Sequence, residues 1–141
     1  MKAVAAPLRY GDIVVGDVYE FTRTITPEDV MAFARLTGDC NPLHMDAAFG
    51  RQSAFGSTVV HGMLSASLCS TLIGMHCPGR DALYLGQTLQ FRKPILPGET
   101  VIVRGTVIAK SDALRVVTVR TEVVRGDDVC ITGEATARVL E

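Results

Sequence analysis

The stretch Phe33-Ala34-Arg35-Leu36-Thr37-Gly38-Asp39-Cys40-Asn41-Pro42-Leu43-His44-Met45-Asp46-Ala47 sets an acid and an imidazole five residues apart across a helix-breaking turn. In a continuous helix a separation of five leaves two side chains roughly 140° apart, and in a strand an odd separation sends them to opposite faces. Only a turn brings Asp39 and His44 together. Gly38 suits a left-handed helix cap, and Asn41 tolerates turn geometry. Pro42 pushes Asn41 towards extended backbone and bars a helix through the segment. Asp39 and His44 are therefore expected to point into one cleft.

Working outward from this turn, residues 18 to 26 read as a strand. Thr26-Pro27-Glu28-Asp29 then supplies an N-cap, a proline for the first helical position and acids for the first turn, so a helix is expected over 27 to 37, ended by Gly38. Its apolar residues Val30, Phe33, Ala34 and Leu36 only approximate one stripe. From 41 to 58 the chain carries Pro42, Gly50 and Gly56 among short polar residues, which predicts a long excursion with one helical turn near Ala47; excursions of this length are usually functional. Residues 62 to 75 are apolar or small almost all round a helical circumference, as in a helix enclosed by other structure. Beyond Pro78-Gly79 come four β-rich stretches, 82 to 92, 99 to 109, 113 to 125 and 129 to 139. The short breaks between them imply antiparallel hairpins. The order predicts an α+β fold in which an antiparallel sheet wraps a central helix. No internal repeat is evident.

A length of 141 residues gives a prior of one domain, 1–141, and 48% hydrophobic residues supply enough apolar material for a core. Fourteen Lys and Arg stand against fifteen Asp and Glu, with no basic cluster of the kind that grips nucleic acid or an anionic membrane. The cysteines, Cys40, Cys69, Cys77 and Cys130, form no Cys-x-x-Cys pair and are expected to be reduced. The first residues lack the apolar run of a secretory signal, and 62 to 75 is too short and too rich in Ser and Thr to span a bilayer. A cytoplasmic protein is expected.

The quoted stretch resembles the signature of the MaoC-like (R)-specific enoyl-CoA hydratases, a hot-dog-fold family: aromatic, small residue, Gly-Asp-x-Asn-Pro-aliphatic-His-x-acid-small. The resemblance continues through Val60-His61-Gly62-Met63-Leu64-Ser65-Ala66-Ser67-Leu68 and Tyr84-Leu85-Gly86-Gln87-Thr88-Leu89-Gln90-Phe91-Arg92-Lys93-Pro94, nearly all of the chain after Tyr10. The Asp-x-Asn-Pro-x-His segment is the more specific part; the other two blocks speak for the hot-dog fold more than for hydration. The resemblance implies reversible hydration of trans-2-enoyl-CoA to (R)-3-hydroxyacyl-CoA, no cofactor beyond the carrier on the substrate, and a homodimer paired through its sheets.

On this reading Asp39 and His44 hold one water between them. A carboxylate takes its proton, and an imidazole, whose ordinary pKa lies near neutrality, completes the transfer in a syn addition. Which of the two is base and which acid stays open. The bland alternative is that Asp39 caps a turn and His44 satisfies a loop carbonyl. Gly62 is the expected oxyanion donor, because N–H groups in a helix's first turn lack helical partners; alternatively it permits tight packing. Asn41, His61 and Ser70 are the supporting residues. His61 braces the turn, and Ser70 matches a serine that supports the catalytic acid in related hydratases or simply bonds a preceding carbonyl. His76 reads as a C-terminal residue complementing the helix dipole. Asp39, Cys40, His44 and Asp46 are all metal-ligand types, but no ligand spacing accompanies them and no metal is expected. Gly-x-Ser-x-Gly, Gly-x-Gly-x-x-Gly and P-loop patterns do not occur. Arg92, Lys93 and Arg104 can meet carrier phosphates, although scattered basic residues on a sheet are more often solvated. The alternatives are a dehydratase of branched or dicarboxylic acyl-CoA or of acyl-ACP, and a non-catalytic acyl-CoA-binding hot-dog module. Hot-dog thioesterases generally take their carboxylate from another position.

Overall fold

A computed structural model describes residues 2–141. After a short turn at Tyr10–Asp12 come β1 (Val18–Thr24), α1 (Pro27–Thr37), α2 (Pro42–Met45), α3 (Ala47–Gln52) and α4 (Gly62–Thr71). A π-helical turn, Leu72–His76, extends α4, and β2 (Ala82–Gln87), β3 (Gln90–Phe91), β4 (Thr100–Ser111), β5 (Val116–Arg125) and β6 (Asp128–Val139) follow. The sheet order is β1-β4-β5-β6-β2, with β3 also on β6, and every pairing is antiparallel.

Strict alternation builds the core face. Val101, Val103 and Val107 of β4, Val117, Val119 and Val123 of β5, and Ala135, Ala137 and Val139 of β6 are all buried. Period-two placement sends them to one side of the sheet. Against that side lie Ala66 of α4 and Leu72 and Ile73 of the π-helical turn. This is the helix-in-sheet arrangement expected from the sequence, with two differences. The stretch 82–92 is two strands rather than one. The helix at 62–75 is not enclosed all round: Met63 is 57% exposed, and Ser67 and Ser70 face outward with it. These positions recur at helical spacing, so α4 buries one face on the sheet and leaves the other open.

α1 spans the residues its caps predict. The Thr26 hydroxyl accepts from Asp29 N–H at 3.1 Å and the Asp29 carboxylate accepts from Thr26 N–H at 2.9 Å, a reciprocal capping box. Gly38 ends the helix at φ 80°, a left-handed conformation that L side chains adopt only with strain. Val30 and Ala34 face inward, whereas Leu36 is 84% exposed. No helix runs through Pro42: α1 ends at Thr37, and Pro42 opens a separate short helix, α2. Asn41 is the N-cap, its side-chain oxygen accepting from Leu43 N–H at 2.9 Å, and proline at the first helical position loses no bond because its missing N–H would have no helical partner there. The excursion therefore carries two short helices where one turn was expected. Asp46 caps the second, accepting from Ala48 and Phe49 N–H.

Candidate active site

Asp39 lies between the left-handed cap of α1 and the N-cap of α2, with its Oδ1 accepting from Asn41 N–H at 3.2 Å. His44 sits one turn further on, and its Nδ1 is 2.7 Å from the carbonyl of Val59. A carbonyl only accepts, so Nδ1 carries a proton, and in the neutral ring Nε2 is the nitrogen that can accept one. The segment supplying that carbonyl is itself anchored, by Val59 N–H on Leu43 carbonyl at 3.1 Å and Val60 N–H on Ile95 carbonyl at 2.8 Å.

His61, the residue before α4, is 2% exposed, and its Nε2 donates to the backbone carbonyl of Asp39 at 2.9 Å. It therefore ties the start of α4 to the acid's own backbone. Its ring lies against His44, with centroids 4.1 Å apart, and against Phe33 at 4.8 Å. Among the described residues its Nδ1 has no hydrogen-bond partner although it is buried.

Ligand-capable atoms of Asp39, His44 and His61 all lie within 4.8 Å of one another. A single water or a single cation would reach all three. This is a different set from the one the sequence offered for a metal: Asp46 is committed to capping α3, and Cys40 is exposed outside the group.

Gly62 opens α4, and the helix's first internal bonds, Leu64 and Ser65 N–H to the carbonyl of His61, leave its own N–H without a helical acceptor. A methyl group built on Gly62 would stand 2.9 Å from the Phe91 ring, so the aromatic edge covers this position closely.

Asp39 and His44 come within 4.8 Å of each other, and each also lines an open space of its own. Asp39 lines a space of about 680 Å³ with Met63, Ala66, Ser70, Tyr84 and Leu89. His44 lines one of about 350 Å³ with Gly62, Phe91, Arg92 and Lys93. Ser70 thus shares a wall with Asp39, but among the described residues its hydroxyl makes no side-chain bond to that acid. On the same wall Tyr84 donates to the Gln87 side chain, and Gln87 donates to Thr121 Oγ1 at 2.9 Å. Burial pushes the Tyr84 hydroxyl and the Cys69 thiol up, which keeps this wall uncharged. His76 lies away from the site, stacked on Phe21 with centroids 5.1 Å apart.

Sequence reasoning missed the Val59 carbonyl, which carries no signal in residue type. It also passed over Phe33, Tyr84 and Gln87 as site residues, although all three stand within the stretches that carried the resemblance.

An acid and an imidazole within reach of one water, beside the first turn of a helix packed on an antiparallel sheet, make a hot-dog hydro-lyase class of site. The chain belongs to the MaoC-like family: the family's MaoC like domain matches residues 13–127. It is 38% identical to an (R)-specific enoyl-CoA hydratase of Aeromonas caviae over 126 residues, 89% of this chain and 94% of that one. A mitochondrial 3-hydroxyacyl-[acyl-carrier-protein] dehydratase of Arabidopsis thaliana is 36% identical over 87% of this chain and 75% of its own length. An R-hydratase from Pseudomonas aeruginosa superposes with a TM-score of 0.91 at 34% identity, covering 96% of this chain and 87% of that one.

Proposed function

We propose that this protein hydrates trans-2-enoyl-CoA reversibly to (R)-3-hydroxyacyl-CoA. The observation that carries the reading is the Asp39 carboxylate and a ring nitrogen of His44 lying within 4.8 Å of each other, with the His44 ring oriented by the Val59 carbonyl. The thioester carbonyl accepts from Gly62 N–H, which stabilises the negative charge that gathers on its oxygen as the double bond is attacked. A water between Asp39 and His44 loses one proton to the pair, and its oxygen bonds to C3. The electron pair of the alkene moves towards C2 and the carbonyl, and the pair returns a proton to C2 on the same face. Water is added whole, so the reaction needs no redox partner and no cofactor beyond the carrier already on the substrate. Asn41 positions His44 by capping α2, His61 positions Asp39 through its backbone carbonyl, and Ser70 lines the acyl space.

The relative from A. caviae supports CoA as carrier; the A. thaliana relative, at similar identity, supports the same chemistry run as dehydration on an acyl carrier protein. The exposed face of α4 and the edge strand β2, with its own Leu83 and Leu85 exposed, support a homodimer that covers the large cavity. The four unpaired thiols suit a reducing compartment such as the cytosol, and among the described residues no helix is long and apolar enough to cross a membrane.

The test mixes the protein with crotonyl-CoA and longer enoyl-CoAs and follows loss of enoyl absorbance. The product is then offered to an (S)-specific 3-hydroxyacyl-CoA dehydrogenase. Loss of absorbance with no NADH is expected, because one fixed water faces one side of the alkene. Stoichiometric NADH, or no loss of absorbance, would refute the reading.

A further inference from the structure

The two cavities beside the Asp39 and His44 pair differ in character. The one on the Asp39 side is walled by Met63, Ala66, Tyr84 and Leu89. The one on the His44 side contains Gly62 and has Arg92 and Lys93 in its wall. A linear thioester whose carbonyl sits at Gly62 must send its two ends opposite ways, and only one way out is basic. We propose that the carrier arm leaves through the His44 cavity and that the guanidinium of Arg92 binds a phosphate of that arm, with the acyl chain on the Asp39 side. The proposal rests on the hydration of enoyl thioesters proposed above.

Ion pairing singles out Arg92 among the three basic residues. Arg104 is 2.9 Å from Glu20 and 3.7 Å from Glu122, so its charge is answered on the sheet. The Lys93 ammonium is paired with Asp128, a carboxylate that Arg125 also bonds at 3.1 Å. Arg92 bonds only neutral oxygens, Thr132 Oγ1 from Nε–H and Gln90 Oε1 from Nη2–H, each at 3.2 Å. Among the described residues no carboxylate lies within ion-pair distance of it. These two bonds hold the guanidinium in place without neutralising it, and its other N–H groups remain for an anion. Arginine suits this role because its planar fork matches phosphate oxygens.

The test compares kcat/KM for an enoyl-CoA with that for the same enoyl group on N-acetylcysteamine, which keeps the thioester and lacks every phosphate. The ratio of the two is expected to fall about tenfold in Arg92→Glu, a loss of about 1.4 kcal/mol, and to recover for the most part in Arg92→Lys. In the unaltered protein the same ratio should fall as KCl rises, because salt screens an exposed contact between charges. That measurement stands even if the charge reversal disturbs β3. An equal loss on enoyl-acyl carrier protein would assign the contact to the phosphopantetheine phosphate, and a loss confined to CoA would assign it to the nucleotide phosphates; both sustain the proposal. A ratio that moves neither with Arg92→Glu nor with salt overturns it, while hydration of both thioesters leaves the proposed reaction standing. Hydration of neither would instead remove the reaction, and the carrier channel with it.

Discussion

Gly50 does not touch substrate in the proposed reaction, yet its substitution should disable the site. A Cβ at this position would fall 2.3 Å from Thr58 N, 2.6 Å from Ser57 C and 2.8 Å from Thr58 Cα, all of them backbone atoms with no flexible side chain to yield. Ordinary contact begins at 3.4 Å, so the segment must retreat by about 1.1 Å. That segment leads directly into Val59, whose carbonyl orients His44. A displacement of about 1 Å in a catalytic group costs on the order of 10²-fold in rate. Overpacking of this kind costs about 1 to 3 kcal/mol of stability, which leaves the sheet folded. Gly50→Ala should therefore show native far-UV circular dichroism, a lowered Tm and kcat reduced about 10²-fold on an enoyl-CoA. Turnover close to the unaltered protein, with the glycine replaced and the fold intact, would refute the idea that this backbone approach positions His44.

Asp39→Asn and His44→Ala should each lower kcat by about 10² to 10⁴, the range for a lost general acid or base, with little change in Tm. The double variant should be scarcely slower than either single one, since both groups act on one water; near-normal turnover in either single variant would remove that residue from the pair. Sedimentation at low micromolar concentration should give about twice the 15.1 kDa chain mass, and a stable, fully active monomer would contradict the dimer. The backbone N–H of Thr26, with help from Arg23, holds the Asp29 carboxyl below its usual range. Stability from this group is therefore present above its unfolded pKa of about 3.9 and is lost as pH falls through the folded value. Chemical denaturation of Asp29→Asn across acid pH should show a smaller loss below pH 4 than in the unaltered chain, and an identical profile would dismiss the carboxylate's part.

Local chemistry was legible in the sequence because it acts between neighbours. The caps of α1, the break at Gly38 and the alternation of β4, β5 and β6 each depend on residues a few positions apart, and they lead to a sheet around a helix. The identities of Asp39, His44 and Gly62 as candidates were legible for the same reason. Pro42 shows the limit: the same ring that ends a helix before it can begin one after it, and the capping bond made by Asn41 decides between the two.

The working geometry was decided only by tertiary structure. His44 is turned by a carbonyl fifteen residues away, and Asp39 is held through its own carbonyl by a histidine twenty-two residues on. Backbone carbonyls are alike at every position, so no pattern of residue types announces them. The splitting of the site into an apolar and a basic cavity, and the choice of Arg92 over Lys93 and Arg104 as the uncompensated charge, likewise arise from pairings across the sheet. Such pairings depend on which strands meet and in what register, and that is a property of the assembled fold.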